Sequence, residues 1–254
     1  MIKCSSELFF NQNISGKIHS IFETSINLVY DSDKLISLLD QTRLLLPFSI
    51  IFNSRDFQRI KNIAQINSDF FLSKKTFQLK NIEFKTVNIN QIKNSGEFDF
   101  DFIIKTIKEI YQMFSSSYNI CFNAKSFDDL FEILKKKIEN NSLINFLIGR
   151  GNGLTPTGDD IINGIIYFYN NCGIENDLIK IIEEIKKNDF KKTCLYSENM
   201  IKYGLENYYD EFFNKISEYS VSGKSELLKE TILTKRGSSS GFDSLIGLTI
   251  FKII

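Results

Sequence analysis

Gly149-Arg-Gly-Asn-Gly-Leu-Thr-Pro-Thr-Gly-Asp-Asp-Ile-Ile-Asn-Gly164 is the densest stretch of the chain, with five glycines, a proline and two adjacent aspartates in sixteen positions. Glycine permits backbone conformations that a side chain forbids, and it lets a bound group approach the main chain. An apolar run from Ile161 to Phe168 follows, so the stretch predicts a loop that becomes a helix near Thr157. Thr157-Gly-Asp-Asp160 fits a reciprocal capping box, with the threonine oxygen on a first-turn N–H and the Asp160 carboxylate reaching back. Asp159 is then left over for chemistry.

The same grammar recurs near the C-terminus. Ser240-Gly-Phe-Asp243-Ser-Leu-Ile-Gly247-Leu248 aligns without a gap on Thr157-Gly-Asp-Asp160-Ile-Ile-Asn-Gly164-Ile165, sharing Ser/Thr, Gly, Asp and Gly at matching offsets. Each has a hydroxyl-rich lead-in, Thr155-Pro156 before the first and Gly237-Ser238-Ser239 before the second. The first turn of a helix presents unpaired N–H groups and a partial positive charge, so paired starts of this kind suit a phosphate or a carboxylate. Ser126-Phe-Asp-Asp129 serves as a control: it also reads as a capping box, but it lacks the glycine lead-in and the glycine one turn later. An interior glycine costs a helix about 1 kcal/mol relative to alanine, and the chain accepts that at Gly164 and again at Gly247. Matching glycines predict that the two helices touch there. Two readings stay open, a packing device of two capped helices or two N-termini that face one anion site. The second requires the helices starting at Thr157 and Ser240 to be neighbours with their starts together.

Composition narrows the classes. At 254 residues, the chain is long enough for one large domain or two small ones. Its 31 basic and 31 acidic residues cancel, so no global field favours nucleic acid. No run reaches the roughly 18 apolar residues of a membrane span, and the first residues lack a signal-peptide pattern, so the expectation is a cytoplasmic protein. Cys4, Cys121, Cys172 and Cys194 are too scattered for a metal pair and read as reduced thiols. His19 is the single histidine, which leaves a zinc centre or a Ser-His-Asp relay without parts. The glycine stretch has no Gly-Lys-Ser/Thr ending, so it is not a nucleotide P-loop.

Patterning along the chain predicts an α+β fold, a mainly β N-terminal lobe over residues 1–95 and a mainly α-helical C-terminal lobe over residues 96–254. Near-alternation from Gly16 to Tyr30 suits one or two strands, and Phe70 to Ile92 returns to period two. A short amphipathic helix is expected at Asp33 to Leu39, an edge strand or strand start at Pro47 in the apolar run Leu44 to Phe52, and a helix over Ser54 to Ile66. Helical period then marks residues 99–114, 126–139, 157–171, 175–188, 192–206, 209–220, 223–233 and 240–253. Both glycine stretches fall in this second lobe.

Several residues gather around the predicted site. Arg150 and Arg236, two of five arginines, precede the two stretches, and a guanidinium binds carboxylate or phosphate with two prongs. Lys191-Lys192-Thr193-Cys-Leu-Tyr-Ser197 opens another helix with cations and hydroxyls. The expected catalytic residues are Asp159 and Asp160. The expected anion or substrate ligands are Gly153, Thr155, Thr157, Gly158, Lys192, Thr193, Ser238, Ser239, Ser240, Gly241 and Asp243. The sequence requires no cofactor and leaves a divalent metal at Asp159 open.

Residues Gly151 to Gly164 resemble the signature of the AllH-type family, formerly a domain of unknown function and linked to an oxamate carbamoyltransferase subunit of allantoin breakdown. Gly237 to Gly247 resembles that family's closing motif, Gly16-Lys-Ile-His-Ser-Ile-Phe22 its N-terminal one, and Thr193 to Ser197 its middle one. The resemblance implies a part in moving a carbamoyl group between oxalurate and phosphate, giving oxamate and carbamoyl phosphate, alongside partner subunits. A non-catalytic subunit that binds a small anionic metabolite is the alternative.

Overall fold

The structure is a computed structural model and describes residues 3–4, 13–73, 76–85, 97–173, 176–236 and 239–254. Its class is α+β, strands first and helices after. The chain divides into two compact units, Met1–Lys93 with Tyr209–Glu211, and Asn94–Tyr208 with Phe212–Ile254.

Among the described residues the first unit holds one sheet of eight strands, β1 (Lys3–Cys4), β2 (Ile14–Ile21), β3 (Ser25–Tyr30), β4 (Lys34–Asp40), β5 (Ser49–Phe52), β6 (Asp69–Leu72), β7 (Thr76–Leu79) and β8 (Ile82–Lys85). Their order is β1-β5-β4-β3-β2-β6-β7-β8. All neighbours are antiparallel except β4 and β5. Helix α1 (Ser54–Ile63) lies between β5 and β6 in sequence and is capped by Asn53, whose side chain accepts from the Asp56 N–H.

The helix expected at Asp33 to Leu39 is instead strand β4. Leu35, Ile36, Leu38 and Leu39 are all buried, because β4 sits inside the sheet with both faces covered. A strand buried on both sides loses its alternation, and this spacing then mimics a helical stripe. Asp31 and Ser32 take positive φ, 47° and 75°, and turn the chain from β3 into β4 with Tyr30 opposite Lys34. The polar residues inside the sheet are satisfied: the Ser37 hydroxyl donates to Asn27 Oδ1 at 2.7 Å, and Asn27 Nδ2 donates to Ser20 Oγ at 3.2 Å. His19 is exposed, with Nδ1 3.2 Å from the Ser20 hydroxyl. The end of the period-two region beyond residue 85 lies outside the described residues.

The second unit contains α2 (Phe100–Ile110) running into a 3-10 turn at Tyr111–Met113, then α3 (Ser115–Phe122), α4 (Phe127–Glu139), α5 (Leu143–Leu147), α6 (Thr157–Asn171), α7 (Asn176–Lys187), α8 (Leu195–Leu205), α9 (Glu211–Val221), α10 (Ser225–Glu230), a π turn at Thr231–Lys235, and α11 (Ser240–Ile253). Helices α3 and α5 are short and were not expected from period. Every residue from Thr157 to Phe168 in α6, and from Ser240 to Phe251 in α11, is buried. Helices covered on every side belong at the centre of a unit. Among the described residues, no helix is long and apolar enough to cross a membrane.

Candidate functional site

Helices α6 and α11 pack against one another side by side, with their starts at the same end. A Cβ on Gly164 would stand 2.0 Å from the Ser244 carbonyl oxygen and 2.7 Å from the Leu248 nitrogen. A Cβ on Gly247 would stand 2.0 Å from the Ile161 carbonyl oxygen and 3.0 Å from the Ile165 nitrogen. The contact is reciprocal, since Ser244 and Leu248 occupy in α11 the places that Ile161 and Ile165 occupy in α6. The pair therefore has approximate two-fold symmetry along its length, and further down Phe168 stacks on its counterpart Phe251 at 5.8 Å. Side chains would hold these backbones apart, which explains the two interior glycines.

At the helix starts, the same register brings the Thr155 hydroxyl within 2.7 Å of the Ser240 hydroxyl. The loop ahead of α6 reaches them through glycines at positive φ, Gly149 at 68°, Gly151 at 119° and Gly153 at 93°. Gly153 is exposed with open space where a Cβ would be, beside exposed Asn152 and Leu154. Gly158 is packed on the Leu147 carbonyl, and Gly241 lies under the Ile232 carbonyl. Lys192 is exposed, and its carbonyl lies where a side chain on Gly149 would go. Ser238 lies outside the described residues.

The capping box expected at Thr157 is not formed. Pro156 is the N-cap, without a side-chain cap, and its carbonyl accepts from the Asp159 and Asp160 N–H groups at 2.9 and 3.2 Å. Thr157 thus becomes the first helical residue, and its hydroxyl lies against Asp243 and Cys121. The control at Ser126 does cap: its hydroxyl accepts from the Asp129 N–H at 3.1 Å, and Asp129 reaches back to the Lys125 N–H at 2.8 Å. Local grammar was right where no tertiary partner competed for the side chains.

The two aspartates take up tertiary roles. Asp159 Oδ1 accepts from the Gly149 N–H at 2.8 Å, and Oδ2 accepts from the Thr193 hydroxyl, with Ser197 nearby. It ties the glycine loop to the start of α8. Burial pushes its carboxyl above the ordinary range, and these donors pull it back. Both oxygens serve N–H and O–H donors, and among the described residues no group of three metal-type ligands gathers. Asp160 is buried, pushed well above the ordinary range by burial and held back first by Arg236, whose Nη2 is 3.9 Å away. Asp243 is its counterpart on α11, fully buried and pushed up to about 7 by burial.

Sequence reasoning missed what surrounds that pair. Tyr118 of α3 donates its hydroxyl to Asp243 Oδ1 at 2.6 Å; it lies in a hydroxyl-rich helix without apolar period, so no local signal marked it. Arg236 is buried, donates to the Ser244 hydroxyl and lies over the rings of Phe212 and Phe213 at 5.2 and 5.5 Å. Arg150 donates to the Phe146 and Cys121 carbonyls at 2.6 and 3.1 Å and stacks on the Phe146 ring. Both guanidiniums thus brace the fold.

This architecture defines a class of chain whose helical unit is built on two parallel, glycine-crossed helices with hydroxyl-bearing starts. A family model described as oxamate carbamoyltransferase subunit AllH matches residues 147–251, and a second, described as the AllH family N-terminal domain, matches residues 2–93. The chain belongs to the AllH family. No curated protein and no solved structure matches it.

Proposed function

We propose that this chain is a subunit of an oxamate carbamoyltransferase-like enzyme, and that the joined starts of α6 and α11 hold its anionic substrate. The observation that carries the reading is the hydroxyl pair of Thr155 and Ser240 at 2.7 Å, set beside an exposed glycine lip and the first turn of α11. Helix starts of this kind favour an oxyanion through N–H donors and the helix dipole.

In the reaction, a phosphate oxygen attacks the carbamoyl carbon of oxalurate and the carbon–nitrogen bond to oxamate breaks. The departing nitrogen takes the proton that phosphate gives up, so oxamate and carbamoyl phosphate leave. The tetrahedral intermediate carries an oxyanion that needs aimed donors. First-turn N–H groups of α11 with Thr155 and Ser240 are the donors assigned here, since the Gly158, Asp159 and Asp160 N–H groups of α6 already donate to the Arg150 and Pro156 carbonyls. Gly153, Asn152 and Leu154 border the substrate, and Lys192 and Thr193 stand near the adjoining start of α8.

A binding role without catalysis is favoured by one observation. Asp159, Asp160 and Asp243 are all buried in internal bonds or against Arg236 and Tyr118. That leaves the Thr155 and Ser240 hydroxyls as donors, with these three carboxyls engaged inside the fold. Phosphate-dependent cleavage of oxalurate separates the two readings, assayed with the chain alone and then with its partner subunits. Turnover by the chain alone makes it the catalytic subunit. Turnover only with partners, together with oxamate binding by the chain alone, makes it the binding subunit.

A further inference from the structure

The loop that carries Thr155 has little of its own to hold it. Gly151 and Gly153 stand at φ 119° and 93°, in backbone regions open to glycine, and a Cβ on Gly153 would touch nothing. Among the described residues, no backbone–backbone hydrogen bond fixes residues 151–155. The start of α8 does so instead. The Cys194 thiol donates to the Leu154 carbonyl at 2.8 Å, and the Ser197 hydroxyl donates to the same oxygen at 3.3 Å. Cys194 is half-buried and Ser197 buried. Both donors stand on a firm base, because the lead-in to α8 is tied to α6. The Thr193 hydroxyl donates to Asp159 Oδ2, whose other oxygen accepts from the Gly149 N–H at 2.8 Å.

Leu154 immediately precedes Thr155, and Thr155 precedes Pro156, the N-cap of α6. A residue before proline is confined to extended backbone, so the freedom left to Thr155 lies mainly in its φ torsion, which starts from the Leu154–Thr155 peptide plane. Anchoring the Leu154 carbonyl fixes that plane, and with it the place of the Thr155 hydroxyl 2.7 Å from Ser240. The Leu154 side chain is 47% exposed, so this position serves the fold through its main chain. Resting on the anion site of the preceding section, we propose that Cys194 and Ser197 are positioning residues of that site: they clamp the Leu154 carbonyl to α8 and so aim the Thr155 hydroxyl at the bound anion. A donor already held by a helix loses less freedom on binding than one on a free glycine loop. The two residues act through Thr155 and not on the anion itself.

Oxamate binding to the full chain, read by calorimetry, tests the clamp. The double variant Cys194→Ala with Ser197→Ala removes both donors and should weaken binding about tenfold, the worth of one to two ordinary hydrogen bonds. Cys194→Ser keeps a donor at its position and should bind more tightly than Cys194→Ala. The decisive comparison is coupling to Thr155. In a chain that already carries Thr155→Ala, the same double change should weaken binding by less than about twofold more, because no hydroxyl is left to aim. Equal losses with and without the Thr155 hydroxyl mark a merely structural role and overturn the clamp. Should the double variant not fold, Cys194→Ala alone decides: an affinity about threefold lower that Cys194→Ser restores supports the clamp, and equal affinity in all three chains overturns it. Oxamate binding that Ser240→Ala weakens and the double variant leaves intact overturns the clamp and leaves the anion site standing. No oxamate binding by the wild-type chain overturns the anion site, and this inference with it.

Discussion

Replacing Gly164 by alanine places a methyl group 2.0 Å from the Ser244 carbonyl oxygen, 2.7 Å from the Leu248 nitrogen and 3.0 Å from the Gly247 carbonyl carbon. All three are backbone atoms of a buried helix, so no rotamer change relieves the overlap. An ordinary carbon–oxygen contact is about 3.3 Å, and α11 must retreat by more than about 1 Å to reach it. Overpacking of a filled core costs about 1–3 kcal/mol, and a backbone-on-backbone clash belongs at the top of that range. Alanine returns about 1 kcal/mol of helix propensity. The net expectation is a loss of about 2 kcal/mol, or a melting temperature lower by about 4–8 °C for a chain of this size. Gly247→Ala should behave alike, because the contact is reciprocal. The double variant should lose less than the sum, since one separation of the helices accommodates both methyls. Thermal and urea unfolding of the four chains tests this. Neutral or stabilised single variants, or strictly additive losses, would refute the glycine crossing.

Other expectations follow from the buried carboxyls. Asp159→Asn turns one acceptor into a donor facing either the Gly149 N–H or the Thr193 hydroxyl, so stability should drop by about 1.5–3 kcal/mol along with any activity. A fall in activity with unchanged melting would instead give Asp159 a part in the chemistry. Asp243 is raised by burial from 3.8 to about 7, so the folded state binds its proton more tightly than the unfolded one. Its contribution to stability is therefore full below about pH 4 and is lost as pH rises through about 7, at most on the order of 4 kcal/mol. Urea midpoints against pH, compared with those of Asp243→Asn, check it; equal slopes in the two chains would contradict the shift.

The order of strands before helices was legible because both periods are strong over long segments. β4 was misread for a physical reason, as burial on both faces erased its alternation. Helices α3 and α5 left no trace, the first because Ser115, Ser116 and Ser117 dilute its period and the second because it is only five residues long. At the site, the repeated glycines and hydroxyls announced the α6–α11 pairing correctly, because an interior glycine needs a neighbour to justify it. The aspartates were not legible in the same way. Asp159 binds Thr193 from 34 residues away, and Tyr118 reaches Asp243 across 125. Such partners leave no mark in a local window, so the residue expected to be free was tied down and the residue expected to cap was buried.

The most direct measurement is the oxamate affinity of Ser240→Ala beside that of Ser126→Ala. Both variants remove a hydroxyl at a helix start, one in the proposed site and one at the ordinary cap of α4. The account predicts that Ser240→Ala weakens binding about tenfold or more, the worth of one hydrogen bond to a charged group. Ser126→Ala should lower the melting temperature by the worth of a lost cap, about 1 kcal/mol, and leave affinity unchanged. Wild-type affinity in Ser240→Ala, or equal losses in both variants, would contradict the claim that the paired helix starts hold the anion.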